Sequence, residues 1–238
     1  MGGENAKEGV NLLKKNRISQ EGLKIIACLT MLIDHIGATL VPVTALRLIG
    51  RLAFPIYCFL IAEGMAHTRD VKKYGIRLAI GAVLAEVPFD LAIYGRLTLS
   101  HQSVMVTMLI GYLMVLWIRR SKGVPLVPAI VCAVAAELLS TDYGAAGIAM
   151  IALFVLSREH KDRITIQVMG LGLICWLIGG YGWQVGQIFV PAQMFGLLAL
   201  IPIGLYSGTK ITTSRAVQWG FYLFYPVHLV VLWIIQIL

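Results

Sequence analysis

The sequence predicts an all-α, polytopic membrane helix bundle of about nine transmembrane helices with its N-terminus in the cytoplasm. Three observations carry this. Only 13% of the 238 residues are charged, against about 25% in a soluble domain. Mean hydropathy is +0.82. Apolar stretches close to the roughly 20 residues that span a bilayer follow one another with little between them. Too little polar sequence is left for a soluble enzyme or a soluble binding module.

Residues 1–21 form a basic cytoplasmic arm, and residues 22–238 a transmembrane domain. The arm has no apolar h-region and no cleavage pattern, so it is not read as a removable signal. Its Val10, Leu12 and Leu13 beside Lys14, Lys15 and Arg17 suit either a short interfacial helix or a disordered basic segment. The nine apolar segments run over 22–41, 47–66, 75–95, 103–118, 124–141, 144–157, 164–181, 189–207 and 217–238. The fourth and sixth are short for a span. Cys28, Cys58, Cys132 and Cys175 all fall inside these segments at unrelated spacings. They read as small core residues, not as a disulfide framework or a metal site, and no metal is expected.

Sidedness follows from the basic residues. All of them except Arg47, Arg51 and Arg96 lie in the arm, at the start of the first span, or in the connections after the second, fourth, sixth and eighth. Lys and Arg accumulate in loops that stay cytoplasmic. That bias accounts for the formal net charge of +8 without a nucleic-acid partner, and the location is that of a bacterial-type cytoplasmic (inner) membrane protein.

Ionisable residues inside spans are costly, about 2.5–3.5 kcal/mol each on insertion scales, and face a cavity or one another. This chain has Asp34 and His35 in the first span, Arg47, Arg51 and Glu63 in the second, Glu86 and Asp90 in the third, Glu137 in the fifth and His228 in the last. Counted from the segment ends at about 1.5 Å per residue, His35, Arg51, Asp90 and Glu137 share a level in the outer half of the membrane, where one polar cavity could hold them. Lys24 and His35 are eleven positions apart, about three helical turns, so a cation stands beneath an imidazole on one face, with Cys28 and Met31 between. Arg47 and Arg51 are like charges at i,i+4, as are Glu86 and Asp90, so each pair needs an outside partner; Arg51 is expected against Asp34 or Asp90. The plainer readings are snorkelling for Arg47 and Arg51, a tie across the Pro88 break for Glu86 and Asp90, an interfacial pair for Glu63 with His67, and ordinary loop residues for His101 and His160.

Several runs together resemble the TraX family of membrane proteins: Asp34-His35-Ile36-Gly37, Gly50-Arg51-Leu52-Ala53-Phe54-Pro55, Glu63-Gly64, His67-Thr68-Arg69, Glu86-Val87-Pro88-Phe89-Asp90 and Asp142-Tyr143-Gly144. TraX proteins are similar in turn to acyltransferase-3-type membrane acyltransferases. Those have Arg, ten residues and His in the first span, where this chain has Lys24 and His35, and an Arg-xxx-Arg motif that Lys73 and Arg77 resemble. Both departures put Lys in place of Arg and lose a bidentate fork.

The resemblance implies transfer of an acetyl or other short acyl group from a coenzyme A thioester to an acceptor at or across the membrane. That acceptor is a pilin N-terminus, a glycan, a peptide or a lipid. Acetyl-CoA would be the donor co-substrate. Lys24, Lys72, Lys73, Arg77, Arg119, Arg120 and Lys122 are then the cations for its phosphates, and His35 is the general base, because imidazole titrates near neutral pH. Asp34 points about 100° away from His35 on the helix, so Glu86 or Asp90 is the better partner for the ring. Arg51 is the candidate stabiliser of the developing oxyanion. The rival reading is a proton-coupled transporter or exporter, since Asp, Glu and His in spans also form proton relays; a structural or assembly subunit is the third.

Overall fold

A computed structural model of the chain describes residues 18–121, 124–211 and 214–238, so the predicted arm up to Arg17, and Lys122, lie outside the described residues. Each of the nine apolar segments contains helix. The first, α1 (Gln20–Thr39), starts where Ser19 accepts a hydrogen bond from the Gly22 amide at 3.1 Å, an ordinary N-cap. The second segment is divided into α2 (Thr44–Gly50) and α3 (Ala53–His67). Pro55 in the first turn of α3 has no N–H for the Arg51 carbonyl, and Arg51 and Leu52 bond three residues back, to Leu48 and Ile49. The tightened turn therefore falls at Arg51.

The chain continues as α4 (Val71–Tyr94), α5 (Val104–Arg120), α6 (Leu126–Leu138), α7 (Gly144–Ser157) and α8 (Arg163–Ile178). The eighth segment departs from expectation. It opens with an antiparallel hairpin, β1 (Gly182–Val185) and β2 (Ile188–Pro191), and continues as a 3-10 helix (Ala192–Ala199) and the single turn α9 (Leu200–Gly204). Gly186 turns the hairpin at φ 64°, a conformation that glycine adopts without penalty, and Pro191 and Pro202 interrupt any long helix. The chain ends with α10 (Arg215–Ile237).

Among the described residues, three helical stretches are long and apolar enough to cross a membrane: Gln20–Thr39, Thr44–His67 and Arg215–Ile237. The α4 helix is as long but carries Lys72, Lys73, Arg77, Glu86 and Asp90. α6, α7 and α8 are shorter than a perpendicular span requires.

The α3 helix lies at the centre. Phe54, Ile56, Leu60, Ile61 and Met65 are buried on several sides of it, as expected of a helix that is apolar all round. It packs against α1, α5, α7 and the 3-10 helix, while α10 packs on α1 and α4 and closes the other side. The outer faces of α4, α6 and α8 expose Ile80, Val83, Val87, Val127, Ile130, Ile164 and Leu173. A continuous apolar perimeter of this kind suits lipid, not water.

Candidate functional site

Asp34 is shared by two arginines. Its Oδ2 accepts from Arg47 Nη1 at 2.7 Å and its Oδ1 from Arg51 Nη2 at 2.9 Å. Arg51 Nε also donates to the Arg47 carbonyl and Nη1 to Gln193 Oε1, both at 3.1 Å. The unfavourable i,i+4 arginine pair thus has one common anion, and the expected partner of Arg51 is Asp34, not Asp90. Arg47 pairs instead of snorkelling. Three of the five guanidinium N–H groups of Arg51 are engaged, leaving two. Gly50 makes this geometry possible: Asp34 packs directly on its backbone.

His35 meets a second imidazole. Its Nδ1 lies 2.8 Å from His228 Nε2, and His228 Nδ1 lies 2.7 Å from the Phe224 carbonyl oxygen. The Tyr225 ring stands edge-on to His35 at 5.9 Å, and Phe224 stacks on His228 at 5.1 Å. The expected carboxylate partner is therefore corrected. Glu86 accepts from Ser103 Oγ at 2.5 Å and from its amide at 3.1 Å, and Asp90 accepts from the Thr98 amide at 2.8 Å. Both carboxylates tie down the connection between α4 and α5, Asp90 at a loop amide and Glu86 at the N-cap of α5, where the free N–H groups of a helix start attract an anion. Glu137 does the same for α7, accepting from the Ala145 amide at 2.8 Å.

Asp34, His35, Arg47 and Arg51 line the far members of a row of neighbouring cavities that share wall residues. At one end Gln20, Lys24, Tyr74, Arg77, Lys210 and Tyr222 surround about 160 Å³. A mainly apolar space of about 100 Å³ shares Lys24, Tyr74 and Tyr222 with it and reaches Met31, Tyr57 and Tyr225. A pocket of about 40 Å³ shares Met31 and Tyr57 and adds Asp34 and His35. Asp34 and His35 also line the last cavity, about 300 Å³, with Arg47, Arg51, His101 and Asp142. The alignment of Lys24 with His35 along α1 is thus the alignment of the row itself.

The predicted phosphate-binding cations divide. Lys24 and Arg77 line the basic end, and Lys73 and Arg77 share with Arg215 and Trp219 a separate groove of about 420 Å³. Arg119 is directed elsewhere, donating to the Met65 carbonyl at 2.5 Å in the last turn of α3; Lys72, Arg119 and Arg120 are not in the walls of these cavities. Glu63 pairs with His67 at 3.1 Å, as expected, and also with Arg158 at 3.2 Å. Among the described residues no three His, Cys, Asp or Glu side chains could share a metal ion.

Several residues of the site were not assigned to it from the sequence, among them His228, Gln193, Tyr143, His101, Arg47 and Asp142. Tyr143 holds a left-handed φ of 65°, which costs a non-glycine residue about 1–2 kcal/mol, and its ring stacks on Phe54 at 3.8 Å. The His228 imidazole was visible as a costly intramembrane group, but its opposition to His35 was not. His101, outside the helices, stands 3.9 Å from Asp142, whose carboxylate raises the His101 pKa above the ordinary imidazole value.

A family model described as TraX protein matches residues 19–236. The chain is 29% identical to "Probable fimbrial assembly protein FimC, serogroup H1" of Dichelobacter nodosus over 88% of this chain and 92% of that protein. It is 26% identical to "Uncharacterized protein RP591" of Rickettsia prowazekii (strain Madrid E), over 62% of this chain and 59% of that protein. No solved structure matches.

Proposed function

The chain belongs to the TraX family, and from that premise we propose that it is a membrane-embedded acyltransferase. It moves an acetyl or other short acyl group from a coenzyme A thioester to an acceptor at or across the membrane. The observation that carries this reading is the row of neighbouring cavities, each sharing wall residues with the next, from the basic end at Lys24 and Arg77 to His35. A polyanionic donor with a slender thioester arm needs cations where its phosphates sit and apolar space for the arm; the cations at Lys24 and Arg77 and the mainly apolar cavity beside them support this reading. With it we propose a cytoplasmic basic end, about nine crossings of the inner membrane and a relationship to acyltransferase-3-type enzymes.

In this mechanism the donor supplies the activated acyl carbonyl. His35 takes the proton from the acceptor hydroxyl or amine as the new bond to the carbonyl carbon forms. As the C–S bond breaks, His35 returns that proton to the departing thiolate, so an acyl-acceptor and a free thiol leave. Arg51 lines the same cavity as His35 and uses its two remaining N–H groups to stabilise charge on the carbonyl oxygen. Asp34 positions Arg51. Glu86 and Asp90 shape the α4–α5 connection and handle no proton.

The test is acetyl-CoA binding to the purified protein, followed by transfer to pilin peptides, glycans and lipids. His35→Ala is expected to keep binding and lose transfer. Absence of donor binding overturns the reading. Titratable groups along a row running the depth of the bundle favour, as a second reading, a proton-coupled transporter, which predicts substrate-driven proton flux in proteoliposomes and no acyl product.

A further inference from the structure

We propose that His228 is a positioning residue that keeps the proton of His35 on Nδ1 and leaves Nε2 bare; as a role in catalysis this rests on the acyl-transfer reading above. The Phe224 carbonyl has no proton to give, so His228 Nδ1 donates to it across 2.7 Å. A neutral imidazole with its proton on Nδ1 has its lone pair on Nε2. With both rings neutral, that lone pair faces His35 Nδ1 at 2.8 Å, so His35 Nδ1 donates and the lone pair left on His35 is on Nε2.

The scaffold enforces this order. α10 packs on α1, bringing the two ring centroids to 4.9 Å, and stacking on Phe224 fixes the His228 ring. Pro226 has no N–H for the Tyr222 carbonyl, so the α10 ladder lacks a rung beside this turn. The nearby carboxylate, Asp34, is held by Arg47 and Arg51 and does not compete for His35 Nδ1.

A neutral partner differs chemically from a carboxylate. When His35 Nε2 accepts a proton, the imidazolium keeps its Nδ1–H on a dipole instead of an anion, so the proton is held less tightly and is released more readily to a thiolate. His228 touches no reacting atom in this scheme. Its whole effect is to select which nitrogen of His35 is basic.

The experiment is ¹⁵N NMR of the full chain labelled at histidine, in lipid nanodiscs, with acyl-transfer rates measured on the same samples. His35→Asn identifies the His35 signals. In the wild type His35 is expected to carry its proton on Nδ1. His228→Leu removes the acceptor, so protonation of His35 Nε2 appears and transfer falls by about 100-fold or more, the range of a general base. His228→Gln places Oε1 near the position of Nε2 and restores both the tautomer and activity relative to the leucine variant; a role in packing alone would not separate the two. A wild-type His35 protonated on Nε2, or an unchanged tautomer in His228→Leu, overturns the proposal. If the leucine variant does not fold, the wild-type tautomer and the glutamine variant still decide. A wild type with the Nδ1 tautomer that binds and turns over no acyl thioester sinks the acyl-transfer reading and leaves the proton assignment standing.

Discussion

Asp34 rests on Gly50 so closely that a Cβ added at Gly50 would stand 2.1 Å from Asp34 Oδ1 and 2.2 Å from Asp34 Cβ. The contact joins α1 to the end of α2 and aims the carboxylate at both arginines. Gly50→Ala forces Asp34 out of this position and is expected to cost about 1–3 kcal/mol, the range of overpacking. Thermal unfolding of the variant in detergent reads the loss; an unchanged melting temperature would show that the two helices separate freely.

The Asp34 to Arg51 link should behave as a coupled pair. Arg51 is 14% exposed and Arg47 30%, so solvent screens Arg47 more. Asp34→Asn and Arg51→Gln are expected to be non-additive by about 0.5–3 kcal/mol in a double-mutant cycle. Asp34 with Arg47→Gln should give a smaller coupling. Equal couplings would contradict the burial order.

Under the acyl-transfer proposal, donor binding should distinguish the cations. Lys24→Ala or Arg77→Ala removes a charge from the basic cavity and is expected to weaken coenzyme A binding by about 1.5–3 kcal/mol, the worth of a hydrogen bond to a charged group. Arg119→Ala should leave the affinity unchanged and lower stability through the lost contact with the Met65 carbonyl. Calorimetric titration of each variant, with a melting curve beside it, separates the two effects.

The His101 to Asp142 pair makes a pH-dependent contribution. Its folded pKa is raised by Asp142, so the imidazolium is favoured in the folded state. That stabilisation is complete below the unfolded value, about 6.5, and is lost as pH rises through the folded value. The melting temperature of His101→Gln should fall below wild type in acid and converge with it in alkaline buffer. A difference that grows with pH would reverse the sign. The pair is more than a third exposed on both sides, so the effect is small.

Much of this was legible in the residues. The positions of the helices follow from apolar runs bounded by charges and turn residues, because lipid tolerates only segments that satisfy their own backbone. The Lys24 to His35 alignment follows from helical period alone, and the need of Arg51 for a carboxylate from the cost of pairing like charges. The hairpin in the eighth segment was not legible: Ile188, Phe189 and Val190 read equally as the start of a span, and only pairing with Gly182–Val185 selects strand.

By itself the sequence determined the helical membrane character, the family and the set of titratable side chains that must be sheltered from lipid. Tertiary structure alone decided their partners. Glu86 and Asp90 share a helix face with i,i+4 spacing, yet each reaches a nearby amide, while His35 meets His228 from a helix 193 residues away in the chain. Period and depth place a group on a face and at a level. Which other helix packs against that face is set by the fit of whole helices, and that information is spread over every apolar residue of the bundle.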